Sequence, residues 1–488
     1  MERQRIQALK FFYRPLISVI MPVYNPDLAV LKAAVESVLD QTYNHWELCV
    51  ADGSDLVSGT EIKELLRKYA QRDKRIRVNY LEKNKGISGN SNEALKMAEG
   101  AFVAFLDHDD TIAPFALFRM VERLNQNPDL DLLYSDRDLL SWDGQKRFRP
   151  FFKPDWSPET LVSVNYLVHL IVIRKSLVER AGGFRAEMDG AQDWDLFFRI
   201  TEMTSLIVHI PEILYHWRVG PHSAAWSLMA KPYVVQAQFQ AVKRHFERAG
   251  IDVKVTLGRR GFIKIKWNNL NPLKVSIVMV VKSSKKILEK SLKIILAKTK
   301  FSDYEILLVG SPMEQPAVQH IPSGGLIRKI NPPVGLNLPE LRNLGAEKAA
   351  GRVLVFMEDD LEVVDPDWLD DLSGWVGQEE IGAVGGKILN ADRTIQSAGL
   401  ILTEGERVVS PFAGLREYYG KFGSSEWYRN YPVVSSSCLT VRKEVFEEVR
   451  QFDTQVTDEN DILGFCFRLQ RYGYRIVFSP YTRLRNFG

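Results

Sequence analysis

The run Ile17-Ser18-Val19-Ile20-Met21-Pro22-Val23-Tyr24-Asn25 returns later in the chain as Val275-Ser276-Ile277-Val278-Met279-Val280-Val281-Lys282. Each is a short, continuous apolar stretch, as expected of a strand buried on both faces of a parallel sheet. The same landmarks follow both. Glu47-Leu48 within Trp46-Glu47-Leu48-Cys49-Val50 is answered by Glu305-Ile306 within Tyr304-Glu305-Ile306-Leu307-Leu308. Asn92 to Gly100 is answered by Asn343 to Gly351 at equal spacing, and Phe105-Leu106-Asp107-His108-Asp109 by Phe356-Met357-Glu358-Asp359-Asp360. In a chain of 488 residues, a repeat this long implies two similar domains rather than a solenoid.

Apolar runs alternate with helical periodicity in both halves, which predicts an α/β fold. In the first half, strands are predicted at 16–23, 47–51, 76–81 and 101–106, with helices at 26–40, 61–72 and 90–99. Sites in such sheets lie beyond the carboxyl ends of the strands, so Asn25, Asp52 and Asp107 should converge. The rest of this half reads as a strand at 132–138, an irregular loop at 149–163, a short strand near 170–173, a helix from Asp193 and a long helix at 231–249. Val253–Leu257 and Phe262–Trp267, split by Gly258-Arg259-Arg260-Gly261, predict a hairpin bridging the halves. The expected organisation is a segment 1–14, a domain 15–250, a hairpin and linker 251–273, and a second domain 274–488.

A net charge of +3 is too mild to argue for nucleic acid. No apolar run approaches the ~18 residues of a membrane span, and no signal peptide opens the chain. Three cysteines without metal-ligand spacing suggest buried thiols in a reducing compartment, hence a cytoplasmic protein. Residues 1–14 set Arg3, Arg5, Lys10 and Arg14 beside Leu9, Phe11, Phe12 and Tyr13. They read either as a basic amphipathic segment for an anionic membrane surface, at the inner face of the plasma membrane, or as a helix packing back on the protein.

Asp107-His108-Asp109-Asp110 follows a buried strand, where clustered carboxylates suit Mg²⁺ or Mn²⁺ and a phosphate, or simply a solvated loop. Gln192-Asp193-Trp194-Asp195-Leu196 opens a helix, so Asp193 is either a helix cap or a base, with Trp194 offering an apolar face to a ring. His216, in Tyr215-His216-Trp217-Arg218, is a metal ligand or a core histidine. Asp52-Gly53-Ser54 and Gly86-Ile87-Ser88-Gly89 are turn signals, and the latter could let backbone approach a diphosphate. Neither is a Walker loop or a dinucleotide fingerprint.

Together these pieces resemble the inverting glycosyltransferases of family 2, with the GT-A fold. The resemblance extends through Gln41-Thr42-Tyr43, Tyr134-Ser135-Asp136, Phe152-Lys153-Pro154-Asp155-Trp156, Asn165-Tyr166 and His169-Leu170. It is similar in particular to the tandem-domain bacterial branch that builds O-antigen, capsule and related surface glycans. In the second half it rests on Asp365-Pro366-Asp367-Trp368-Leu369, Gly382-Ala383-Val384-Gly385, Ile395-Gln396-Ser397-Ala398-Gly399 and Arg471-Tyr472-Gly473-Tyr474-Arg475. The resemblance implies two tandem GT-A domains and one role per position. Pro22, Val23, Tyr24, Asn25, Asp52, Gly86 and Asn92, with Asp107, His108 and Asp109, would bind a nucleotide-sugar donor, UDP- or dTDP-linked. Asp107, Asp109 and His216 would hold Mn²⁺ or Mg²⁺. Asp193 would take the acceptor proton, and His169, Trp194 and Asp195 would face the acceptor, which would be a glycan, a lipid-linked oligosaccharide or a protein.

The second copy departs from that pattern. The resemblance implies a base at Ile462 and a neighbouring acid at Gly464, and neither can move a proton. Asp52 is replaced by Gly310, Pro22 by Val280 and His216 by Arg485, while Asp360 keeps the place of Asp109. The expectation is a first domain that transfers sugar with inversion and a second that keeps only the fold. The other readings are a bifunctional synthase, in which Asp461 or Asp458 serves as an unusual base, and a non-catalytic sugar- or nucleotide-binding scaffold.

Overall fold

The computed structural model describes all residues except 56–58, 221–231, 269–272, 311–316, 319–320, 322–323, 405–406, 417, 457–460 and 488. Asp458 and most of the linker before the second repeat therefore lie outside the described residues. The chain forms two compact units. The first comprises Met1–Trp156, Asn165–Ile251 and Gly420–Gly423, the second Ser157–Val164, Asp252–Tyr419 and Ser424–Gly488.

The first unit is built on a nine-stranded sheet. Its main path runs Ile76–Tyr80, Trp46–Asp52, Ile17–Val23, Phe102–Phe105, Ile171–Arg174, Leu132–Ser141, Ile207–Val219 and Thr111–Ile112. The first four strands are parallel, and Ile171–Arg174 enters antiparallel on both sides. The second unit repeats this order with Ile327–Ile330, Tyr304–Val309, Val275–Val280, Val353–Met357, Cys438–Arg442, Ile381–Leu389, Arg475–Asn486 and Leu361–Val363. The two sheets are thus one plan used twice, and each unit has its own apolar core.

The recurring landmarks turn out to be fixtures of the backbone. Ser18 and Glu47 are buried in neighbouring strands, and the Ser18 hydroxyl donates to the Glu47 carboxylate at 2.7 Å. That carboxylate also accepts the Glu99 amide at 2.6 Å and Arg77 at 3.0 Å, while the Gly100 amide donates to the Ser18 oxygen at 2.9 Å. Ser276, Glu305, Arg328, Ala350 and Gly351 repeat the arrangement. A side chain at Gly100 would place its Cβ 2.6 Å from the Leu16 carbonyl oxygen, which explains the glycine. Helix starts follow their caps: Asp27 accepts the Ala29 and Val30 amides ahead of Leu28–Leu39, and Asn337 with Glu340 forms a capping box on Leu338–Lys348.

Two expectations change. The stretch 149–163 is ordered as a strand, Arg147–Phe151, and a short helix, Pro158–Ser163. That helix packs within the second unit, with Glu159 paired to Arg475 at 3.0 Å and the Ser163 hydroxyl accepting the Tyr428 amide at 2.8 Å. The hairpin Val253–Leu257/Ile263–Trp267 is a fixture of the second unit too: Lys264 pairs with Asp367 at 2.7 Å, and the Trp267 ring lies 5.0 Å from that of Trp375. Among the described residues, no helix is long and apolar enough to cross a membrane.

Candidate active site

Strand register assembles the site. Val23 pairs with Asp52 and Ile20 with Phe105, so the chain leaving Phe105 delivers Asp107 level with Pro22. His108 Nδ1 lies 3.1 Å from the Pro22 carbonyl oxygen and ties the two strand ends together. Asp52 is fully buried; its Oδ1 accepts the Ser54 amide at 2.9 Å, whereas Oδ2 has no hydrogen-bond partner. An unmatched buried acceptor costs roughly 1–3 kcal/mol, so Asp52 is suited to an incoming N–H such as that of a nucleobase. Tyr24 is exposed beside it, and Asn25, at φ 45°, bonds Asp55 with its side chain.

Asp107, Asp109 and Asp110 bring carboxylate oxygens within 4.8 Å of one another, and they are the one such group of potential metal ligands among the described residues. Asp110 is fully buried, with the Tyr215 hydroxyl at 2.5 Å on one oxygen and the Arg218 amide at 2.7 Å on the other. Burial, then Asp109 and Asp107, raises its carboxyl well above the usual range. Burial, then Asp109 and Asp193, pushes the Asp107 carboxyl up to about 7, although 40% of that side chain remains open to the cavity. Carboxylates crowded at one strand end, Asp107 and Asp110 among them resisting ionisation, are a donor set that a hard divalent ion stabilises.

Asp107 and Asp193 line one cavity, with Pro22, Ser91, His169 and Gln192. Asp193 is the second residue of the helix Gln192–Thr201 and is not its cap, which is Ala191. Its Oδ1 accepts the Trp194 amide at 2.8 Å and its carboxylate accepts the Asn165 side chain, but burial outweighs both and raises its pKa. His169 presents Nε2 3.7 Å from Asp107, while its buried Nδ1 has no partner. Burial, then Lys153 and Arg137, drives its pKa down to about 3, so the ring is neutral. Lys153 fixes this segment by donating to the Leu167 and His169 carbonyls at 3.1 and 2.8 Å. Sequence reasoning assigned no role to Asn165 or Ser91; each stands in or next to a motif already singled out.

Other expected site residues are directed elsewhere. Val23 has its side chain in the core. Gly86 opens the helix Gly86–Lys96 instead of a loop, and there a Cβ would lie 2.8 Å from Asp189. Asn92 is committed to backbone, accepting from the Phe184 amide and donating to its carbonyl, as Asn343 does at Phe452. The Trp194 side chain is buried against Phe198, and Asp195 is fully buried in an ion pair with Arg199 at 2.7 Å, because both face inward from the helix. His216 is not among the clustered ligands. Its Nδ1 is held by Asp138 at 2.7 Å, and it lines a neighbouring cavity with Trp142 and Arg218, while Asp110 completes the acidic group.

The second unit handles the matching positions differently. Asp461 heads the helix Asp461–Arg471 and, like Asp193, accepts the amide of the following residue. It precedes Arg468 by seven residues, where Asp193 precedes Arg199 by six. By that spacing, and as the first residue of its helix where Asp193 is the second, Asp461 stands one position before the counterpart of Asp193, which is Ile462, buried in the core. Asp461 is fully buried, and both its oxygens are held by Arg342 at 3.1 and 2.8 Å. Arg342 precedes Asn343 as Ser91, on the wall of the first cavity, precedes Asn92. Asp359 accepts the Lys282 and Ser283 amides, Asp360 receives Asn486 at 3.3 Å, and Arg485 pairs with Glu362.

Sheet order, acidic strand end and duplicated plan define a tandem GT-A protein. The glycosyl transferase family 2 profile matches residues 18–181 and again 276–450, and the chain belongs to that family. An uncharacterized protein of Sinorhizobium fredii, y4gI, is 34% identical over 483 residues, covering 96% of this chain and 53% of that protein. The O-antigen biosynthesis protein RfbC of Myxococcus xanthus is 35% identical over 478 residues, covering 96% of this chain and 37% of that protein. The chain therefore spans about half or less of the length of these curated relatives. Among solved structures, S. aureus TarS 1–349 in complex with UDP-GlcNAc aligns at 22% identity and a TM-score of 0.40, over 48% of this chain and 68% of that one.

Proposed function

We propose that the first unit transfers a sugar from a nucleotide-sugar donor to a glycan or glycolipid acceptor, with inversion, in the synthesis of a bacterial surface polysaccharide. The observation that carries this reading is the shared cavity of Asp107 and Asp193, an acidic strand end and an isolated carboxylate facing the same small space. Asp52 and the backbone at Pro22 to Asn25 would receive the nucleoside. Asp193, its pKa raised, accepts the proton of the acceptor hydroxyl as that oxygen bonds the anomeric carbon. The bond from that carbon to the diphosphate breaks on the opposite face, and the nucleoside diphosphate departs. A divalent cation on Asp107 and Asp109 would supply positive charge for the leaving diphosphate. Neutral His169 and the Asn165 amide orient the groups around Asp107 and Asp193. The second unit, with Asp461 locked to Arg342, serves as a non-catalytic partner domain.

Release of nucleoside diphosphate from a panel of nucleotide sugars, with Mn²⁺ and acceptor extract, tests the assignment. Asp109→Asn and Asp193→Asn should each lower release by about 10²-fold or more, and Asp360→Asn should leave it near wild type. Loss of release with Asp360→Asn alone would move the chemistry to the second unit. Donor binding without turnover in the wild-type protein would indicate a scaffold.

A further inference from the structure

The helix Glu2–Leu9 is anchored on one side only. Ala8 is buried, the Phe11 ring lies 5.2 Å from Phe118, and the Tyr13 amide and carbonyl are both bonded by Asn125 at 2.9 and 2.8 Å. Gln7 reaches Glu122 at 3.2 Å. At ~100° per residue, Ile6 falls opposite Ala8 and Leu9 on the flank between them. There Ile6 is 50% exposed and Leu9 58%, and Phe12, just past the helix, is 99% exposed. Arg3, Arg5, Lys10 and Arg14 surround them, all exposed, against the single acid Glu2.

We propose that this face docks the first unit onto a bilayer surface containing anionic phospholipid. A large apolar side chain held fully in water by an otherwise packed segment is the mark of an interaction surface. The ring of cations decides its occupant. Pairing with a second copy across a two-fold axis would set four cations against four, which is repulsive, whereas an anionic lipid surface neutralises them while Ile6, Leu9 and Phe12 enter the headgroup boundary. The segment is pre-ordered by Ala8, Phe11 and Tyr13, so little ordering accompanies binding.

Co-sedimentation of the full chain with vesicles tests this. Vesicles of phosphatidylcholine with phosphatidylglycerol should retain the protein at low salt, pure phosphatidylcholine should retain far less, and raised salt should release it. Arg3→Glu with Arg5→Glu should weaken retention by at least about tenfold, and Leu9→Asp with Phe12→Asp should abolish it, with the melting temperature of each variant unchanged. Equal retention on neutral vesicles, or full retention of the Leu9→Asp/Phe12→Asp variant, would overturn the proposal. So would a wild-type dimer in sedimentation equilibrium that the same variant dissociates, because the face would then be covered by a second copy.

Discussion

At the scale of single residues, the two units differ most at one contact. Ser91 leaves the first cavity open, whereas Arg342 fills the matching place and donates to both carboxylate oxygens of Asp461. Arg342→Ala should destabilise the second unit by about 3–5 kcal/mol, because it strands a buried carboxylate. Denaturant unfolding should show this as an early transition, and replacing Asp461 with Leu in the same chain should restore much of the loss. Asp107, Asp109 and Asp193 were legible in the sequence because their positions at a strand end and a helix head decide where they point. Trp194, Asp195 and Asn92 were not, since spacing along the chain does not reveal which face of a helix is turned inward. Arg342 gave no signal at all; its partner lies 119 positions away.

At the scale of elements, the parallel strands and their crossover helices were readable from apolar runs, and their boundaries shift by only a few residues. The long strand Ile207–Val219 and the helix Pro158–Ser163 escaped, because polar residues interrupt the first and the second is too short for periodicity. The repeated glutamates had been visible as landmarks without a purpose, and the structure supplies one. Burial raises the Glu47 pKa, but the Ser18 hydroxyl, the Glu99 amide and Arg77 outweigh it and hold the carboxyl below its usual range; Glu305 follows the same balance with Arg328. Their stabilising contribution is therefore present above the unfolded-state value and is lost as pH falls through the lower folded-state value. Glu47→Gln and Glu305→Gln should each cost about 1–3 kcal/mol near neutral pH, in the first and second unit respectively. Each variant should also lose part of the acid sensitivity of its own unit, read by thermal melts between pH 3 and 7.

At the scale of the whole molecule, one sheet plan is used twice with different side chains at the matching strand ends. Treatment with EDTA should stop diphosphate release while leaving the thermal melt in place, because the acidic cluster is the one group of potential cation ligands among the described residues and neither apolar core includes it. Added Mn²⁺ should restore the activity. The grip of Arg342 on Asp461 also has a consequence over evolutionary time. Any change that frees Asp461 must remove the arginine, yet a chain that loses it first carries the unfolding defect before it gains any benefit. Losing the aspartate first strands the buried guanidinium instead. Either single step therefore leads downhill, and the ion pair acts as a ratchet that keeps the two copies apart in sequence.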